Sequence, residues 1–126
     1  MEKTIFDLYF TKNKVLKAEI DKNSRMMIHF IVQSYDFSGK GPIYLNAETQ
    51  RKAIVTLQNM IESLSGELVL YDEESEKYYI QIYFFNGELK VKGVLGDYSD
   101  NQISFCFFAD QTVLTLLLQV LEELIR

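Results

Sequence analysis

The sequence predicts an α+β protein: an antiparallel β-sheet, or pair of sheets, of about seven or eight strands with two amphipathic helices. Three observations predict it. Most apolar segments alternate with a period of two, as strands do. Two stretches, beginning near Asn46 and Gln111, switch to a helical period, and each follows several strands. Asn86-Gly87, set between two alternating runs, is a two-residue hairpin signal, because a type I′ turn needs positive φ at both central residues.

The elements follow in order. Thr4–Phe10 and Lys14–Asp21 read as a hairpin around Lys12-Asn13. Arg25–Gln33 is β-branched and apolar on both faces, which predicts a central strand covered on both sides. Asp36–Gly41 reads as a loop and Pro42–Leu45 as a short strand. A helix runs from Asn46 or Ala47 to about Leu64, with Ala53, Ile54, Leu57, Met60, Ile61 and Leu64 on one stripe and Gly66 as its C′ residue. Glu67–Tyr71 is a strand, 72–76 an acidic turn, and Lys77–Phe85 with Glu88–Leu95 the hairpin around Asn86-Gly87. After a polar turn at 97–101, Gln102–Phe108 is a strand apolar on both faces. Asp110 stands at the N-cap of a last helix, Gln111–Ile125, whose wide apolar face predicts deep burial. An offset of 60 lays Ala53, Ile54, Leu57, Met60, Ile61 and Leu64 onto Val113, Leu114, Leu117, Val120, Leu121 and Leu124. That echo fits a strands-then-helix unit used twice, although any two amphipathic helices can be aligned in this way. One proline, six glycines and no linker rich in Gly, Ser or Pro predict a single domain over 1–126.

Composition excludes several designs. One cysteine, Cys106, allows no internal disulfide, and one histidine, His29, cannot supply a multi-imidazole zinc site. Residues 1–63 hold nine Lys/Arg and seven Asp/Glu; residues 64–126 hold four and eleven. A pI near 4.9 argues against nucleic acid and against an anionic membrane surface as partners. The N-terminal run lacks a signal-peptide core, and the longest apolar stretch, near Val113–Leu118, is far short of a membrane span. A cytoplasmic location is the expectation, and a free Cys106 is consistent with it.

The hairpin register places side chains. With Asn86-Gly87 as the turn, Phe85 faces Glu88 and the pairing continues to Tyr78 and Leu95. Tyr78, Ile80, Ile82, Phe84, Leu89, Val91 and Leu95 form the core side. Tyr79, Gln81, Tyr83, Phe85, Glu88, Lys90 and Lys92 form the other. Tyr79, Tyr83 and Phe85 beside lysine stems suit an interface, and equally suit plain cross-strand packing. The turns at 72–76 and 97–101 should emerge at one end of the sheet. Asp72, Glu73, Glu74, Glu76, Asp97 and Asp100, with Tyr98 among them, then share one neighbourhood. Such a cluster attracts a basic protein partner, or simply keeps the chain soluble. It lacks the spacing and glycine of a calcium loop.

Catalytic patterns are absent. Cys106 and His29 sit inside apolar strands, the acids select no facing pair, and Ser38-Gly39-Lys40-Gly41 lacks the spacing of a phosphate-binding loop. No catalytic residue, cofactor or metal is predicted.

The C-terminal part carries a resemblance. Gly87 to Asp97, with Val91, Gly93 and Gly96, is followed by Phe105 and Phe107, then by Asp110, Gln111, Thr112, Leu114, Leu117, Leu118, Leu121 and Leu124. This resembles the WapI family of bacterial immunity proteins, in which a glycine-bounded strand precedes a Phe-x-Phe strand and a closing Asp-Gln-Thr/Ser-x-Leu helix. The resemblance covers about residues 78–126; the first half matches only in outline. It implies a small cytosolic protein that neutralises a toxin domain by binding it, and it carries over no catalytic or toxin-contacting residues. The expectation is therefore a toxin-neutralising, non-enzymatic binding protein. The alternatives are a structural or regulatory interaction protein, as a homodimer through the aromatic sheet face, and an enzyme whose site the sequence does not advertise.

Overall fold

The computed structural model describes residues 3–99 and 101–126. In chain order the elements are β1 (Lys3–Phe10), β2 (Lys14–Asp21), β3 (Ser24–Ser34), β4 (Phe37–Tyr44), α1 (Ala47–Ser63), β5 (Glu67–Tyr71), β6 (Tyr79–Phe85), β7 (Glu88–Gly96), β8 (Gln102–Ala109) and α2 (Thr112–Ile125). Strands β1 to β4 make one antiparallel meander and β5 to β8 a second, giving an α+β fold of two four-stranded sheets. The β6–β7 register runs from Tyr79 opposite Val94 to Phe85 opposite Glu88, as the Asn86-Gly87 turn requires. Asn86 and Gly87 both have positive φ. Tyr78 and Leu95 lie just outside this ladder.

The strands-then-helix unit is used twice, but at a spacing of 64, not 60. β1 and β5 begin at Lys3 and Glu67, and β3 and β7 at Ser24 and Glu88, each pair 64 positions apart. At that spacing the buried α1 residues Gln50, Ala53, Leu57 and Met60 fall on the buried α2 residues Leu114, Leu117, Leu121 and Leu124. The two offsets differ by about one helical turn, so the helices alone cannot separate them. The strands decide. Strand β3 is one step out of phase with β7, because a bulge interrupts β2–β3 pairing between Glu19 and Asp21.

Both halves share one hydrophobic core. Helix α2 lies on β1, β2 and β3, whereas α1 packs on β5 and on α2, so each helix is held by the sheet of the other half. Strand β4 crosses onto β7 and β8. A Cβ at Gly41 would sit 2.5 Å from the Gly96 carbonyl oxygen, so the two backbones meet without side chains between them.

That contact corrects the reading of 36–41 as a loop. Ser34 pairs with Phe37, the turn is Tyr35-Asp36, and Phe37–Gly41 is strand. Gly39 and Gly41 are there for close approach to the second sheet. Strand β3 is central but covered on one side only: Ile28, Phe30 and Val32 are buried, while Met27, His29 and Ile31 are partly exposed. Likewise β8 buries Phe105 and Phe107 but exposes Cys106 and Phe108. Two caps also differ. The left-handed residue that ends α1 is Leu64, not Gly66. At α2 the N-cap position is Gln111, which makes no side-chain cap bond; the Asp110 carboxylate just before it supplies one, accepting from the Thr112 N–H at 3.0 Å. No helix among the described residues is long and apolar enough to cross a membrane.

Candidate functional site

The two acidic turns meet at one end of the second sheet. The Tyr98 hydroxyl donates to the Asp72 carboxylate, and the Tyr98 ring stands edge-on to Tyr78 with centroids 5.5 Å apart. Burial and the adjacent carboxylate both push the Tyr98 phenol up, so it stays a donor. Tyr98 itself has φ of 66°, held by the turn that Asp97 organises. Asp97 accepts from the Ser99 hydroxyl, from the Ser99 N–H at 3.0 Å and from Asn101 Nδ2 at 3.3 Å. Those bonds hold its carboxyl below the usual range, so it remains a charged, exposed group.

The carboxylates at this end do different work. Asp72 is fully buried. Its Oδ1 accepts from the Tyr44 N–H at 2.8 Å, and the Glu73 N–H donates to Tyr44 O at 3.0 Å, so the end of β4 is tied to the end of β5. Glu73 Oε1 accepts from Asn46 N–H at 2.9 Å and from Thr49 Oγ1 at 3.2 Å, at the start of α1. Asp72 and Glu73 thus join the two halves of the chain, and Asp72 presents no surface to a partner. Glu74, Glu76 and Asp97 face solvent. Among the described residues, no lysine or arginine ion-pairs with any of these five carboxylates. Asp100 lies outside the described residues.

The aromatic residues form a separate surface. Tyr79 packs against Tyr71 with centroids 5.9 Å apart, at the acidic end of the sheet. Tyr83 and Phe85 run toward the Asn86-Gly87 turn, with Phe85 about 20 Å from Tyr79 at ordinary strand rise. Lys92 Nζ stands 5.7 Å from the Tyr83 ring. Lys90 Nζ lies between Phe85 at 5.2 Å and Phe108 at 5.1 Å. Lysine–ring packing thus uses part of this face. Tyr71, Phe85 and Phe108 remain exposed.

The open face of the first sheet carries a cluster that sequence pattern did not single out. Glu19, on β2, is buried and holds Lys3 and Lys40, each at 3.4 Å. It lies opposite His29 on β3. Burial raises the Glu19 carboxyl, but the two ammonium groups outweigh it and hold the pKa below its ordinary 4.5. Burial, and then the Lys40 charge, hold the His29 pKa below its ordinary value and so favour the neutral imidazole. The missing signal was the β1–β2–β3 register, which sets Ile5, Glu19 and His29 in one row across the sheet. Glu19→Gln is expected to cost about 1 kcal/mol at neutral pH. Because the folded pKa is depressed, that difference should be present above pH 4.5 and vanish as pH falls through the folded value; urea unfolding across pH checks it.

His29 and Cys106 lie on the open faces of different sheets, so they form no nucleophile–base pair. Among the described residues, no group of three or more His, Cys, Asp or Glu is arranged to hold a metal. A shallow cleft of about 370 Å³ lies where β4 crosses the second sheet, with Lys40, Asp97, Asn101 and Gln102 on its wall. Comparison of the chain with protein-family models and with curated proteins finds no match.

Proposed function

We propose that this protein is an immunity-type binding protein that neutralises a cognate toxin domain by direct contact in the bacterial cytoplasm, without catalysis of its own. The observation that carries the proposal is the set of exposed, unpaired carboxylates, Glu74, Glu76 and Asp97, held at one end by the Tyr98–Asp72 bond. Unpaired charge on a rigid support raises the rate of encounter with a basic partner. The resemblance of residues 78–126 to WapI-type immunity proteins supports the same reading. Binding is tested by co-purification with a toxin domain encoded beside the gene, repeated at rising salt. A complex that forms at low salt and weakens as salt rises is expected; no complex at low salt would overturn the proposal.

A second reading, a structural or regulatory protein associating through the aromatic face, is favoured by the exposure of Tyr71, Phe85 and Phe108 on one uncovered side of the second sheet. Tyr83→Glu, placed at the centre of that face, separates the two. It should abolish association in size-exclusion chromatography if the face is the interface, and leave toxin binding at the acidic end unchanged if it is not.

A further inference from the structure

At the pole opposite the acidic turns, the Asn86-Gly87 hairpin and the approach to α2 meet the end of β1. A cleft of about 540 Å³ opens there, within the ~300–1,000 Å³ that ligand pockets occupy. Its wall carries three aromatic rings, Tyr9, Phe10 and Phe108, and two carboxylates, Glu88 and Asp110, but no lysine or arginine. The register explains the two acids. Leu89 pairs with Ala109 at the end of the β7–β8 ladder, so one further step sets Glu88 against Asp110. Like charges opposed across a sheet repel each other. Among the described residues, neither carboxylate forms an ion pair. Lys14 and Lys90 lie nearby but stand over aromatic rings instead, Lys14 over Phe107 and Lys90 between Phe85 and Phe108. Both acids are held in place. Asp110 Oδ1 accepts from the Thr112 N–H at 3.0 Å, and Glu88 pairs with Phe85 across the Asn86-Gly87 turn. Phe10 is 70% exposed and takes no part in the core.

We propose that this cleft binds the side chain of an arginine carried by a partner protein, its guanidinium meeting the Glu88 and Asp110 carboxylates and lying against the aromatic wall. Four features select that group. First, a cation relieves the repulsion between two opposed carboxylates that no lysine of this chain neutralises. Second, the site is built for an organic cation. Calcium takes about six to eight oxygen ligands, and among the described residues no group of three metal-binding side chains stands here. Third, the aromatic wall favours arginine over lysine. A planar guanidinium stacks on a ring while its N–H groups pair with a carboxylate, and it leaves water more readily than a compact ammonium. Rings at this pole already take cations, with Lys90 Nζ 5.1 Å from Phe108 and Lys14 Nζ 5.9 Å from Phe107. Fourth, the arginine must belong to a chain. The free amino acid brings its own carboxylate, and the wall offers no cation to receive it. The inference goes beyond the toxin-binding reading and does not depend on it, because Glu74, Glu76 and Asp97 lie at the other pole.

Titration of the full chain with N-acetyl-arginine amide, followed by nuclear magnetic resonance, tests it. Saturating shifts are expected at the Gly87, Glu88, Phe108 and Gln111 amides, with a dissociation constant of about 1–10 mM that rises with salt. N-acetyl-citrulline amide, which has the shape without the charge, should bind about tenfold more weakly. Glu88→Gln should weaken the arginine probe about tenfold, and Phe10→Ala about threefold. Both side chains are exposed, so the fold should persist, as circular dichroism checks. Asp110→Asn, which keeps an acceptor for the Thr112 N–H, serves the same purpose if Glu88→Gln fails to fold. Glu74→Gln/Glu76→Gln, at the other pole, should leave the probe's binding unchanged. Shifts that do not saturate, or a citrulline amide that binds as well, would overturn the proposal. So would equal or tighter binding of the lysine amide, which would make the site one for ammonium. Tighter binding of free arginine, or the same shifts from calcium at lower concentration, would overturn it too.

Discussion

Replacing Asp72 by alanine should lower the free energy of unfolding by about 3 kcal/mol. Asp72 is fully buried and is not free charge: it accepts from the Tyr44 N–H and from the Tyr98 hydroxyl. Alanine leaves both donors without their acceptor at a fully buried position. The loss also cuts a tie between β4 of one sheet and the turns of the other. Asp72→Asn keeps one carbonyl oxygen for the Tyr44 N–H and should cost clearly less, about 1 kcal/mol. Tyr98→Phe should fall between them. Urea titrations followed by circular dichroism would rank the three. A cost for Asp72→Ala no larger than that for Asp72→Asn would mean the buried bonds do not hold the halves together.

The second large effect concerns the crossing of the sheets. Gly41→Ala places a methyl 2.5 Å from the Gly96 carbonyl oxygen and 2.8 Å from its nitrogen. Both obstacles are backbone atoms of Gly96, which is held in the β7–β8 ladder opposite Gln102, so neither can rotate away. The sheets must separate, at a cost of about 3 kcal/mol or more. Gly39→Ala meets instead the branch of the Ile103 side chain, Cγ2 at 2.5 Å, and should cost less, because a side chain can move where backbone cannot. Thermal unfolding of the two variants side by side checks the order. Equal tolerance of both would show that the sheets do not meet at Gly41 and Gly96.

The contrast between these two sites explains what could be read from sequence. The β6–β7 hairpin was legible residue by residue, because Asn86-Gly87 fixes its turn and alternation fixes its faces. That register also brought the turns at 72–76 and 97–101 together, as the Tyr98–Asp72 bond shows. β4 was not legible. Glycines at 39 and 41 and Pro42 read as loop signals, whereas here they serve close approach between sheets, a long-range property that local pattern does not carry. The same limit applies to charge. Alternation and turn chemistry placed Asp72 and Glu74 in one turn, but only the packing of β4 against β5 separates the buried structural acid from the exposed one. β8 was misread for a related reason: a strand apolar on both faces reads as covered on both, until the packing leaves Ser104, Cys106 and Phe108 on an open one.

The central functional claim is that exposed charge at the 72–76 and 97–101 end captures a basic toxin domain. The direct measurement is the association rate of that domain with the wild type and with Glu74→Lys/Glu76→Lys at low and high salt. Neither glutamate side chain supports the fold, so stability should be unchanged. The account predicts an association rate reduced about tenfold at low salt, converging with the wild type as salt rises, with dissociation little altered. Equal association rates for the two proteins at low salt would contradict it.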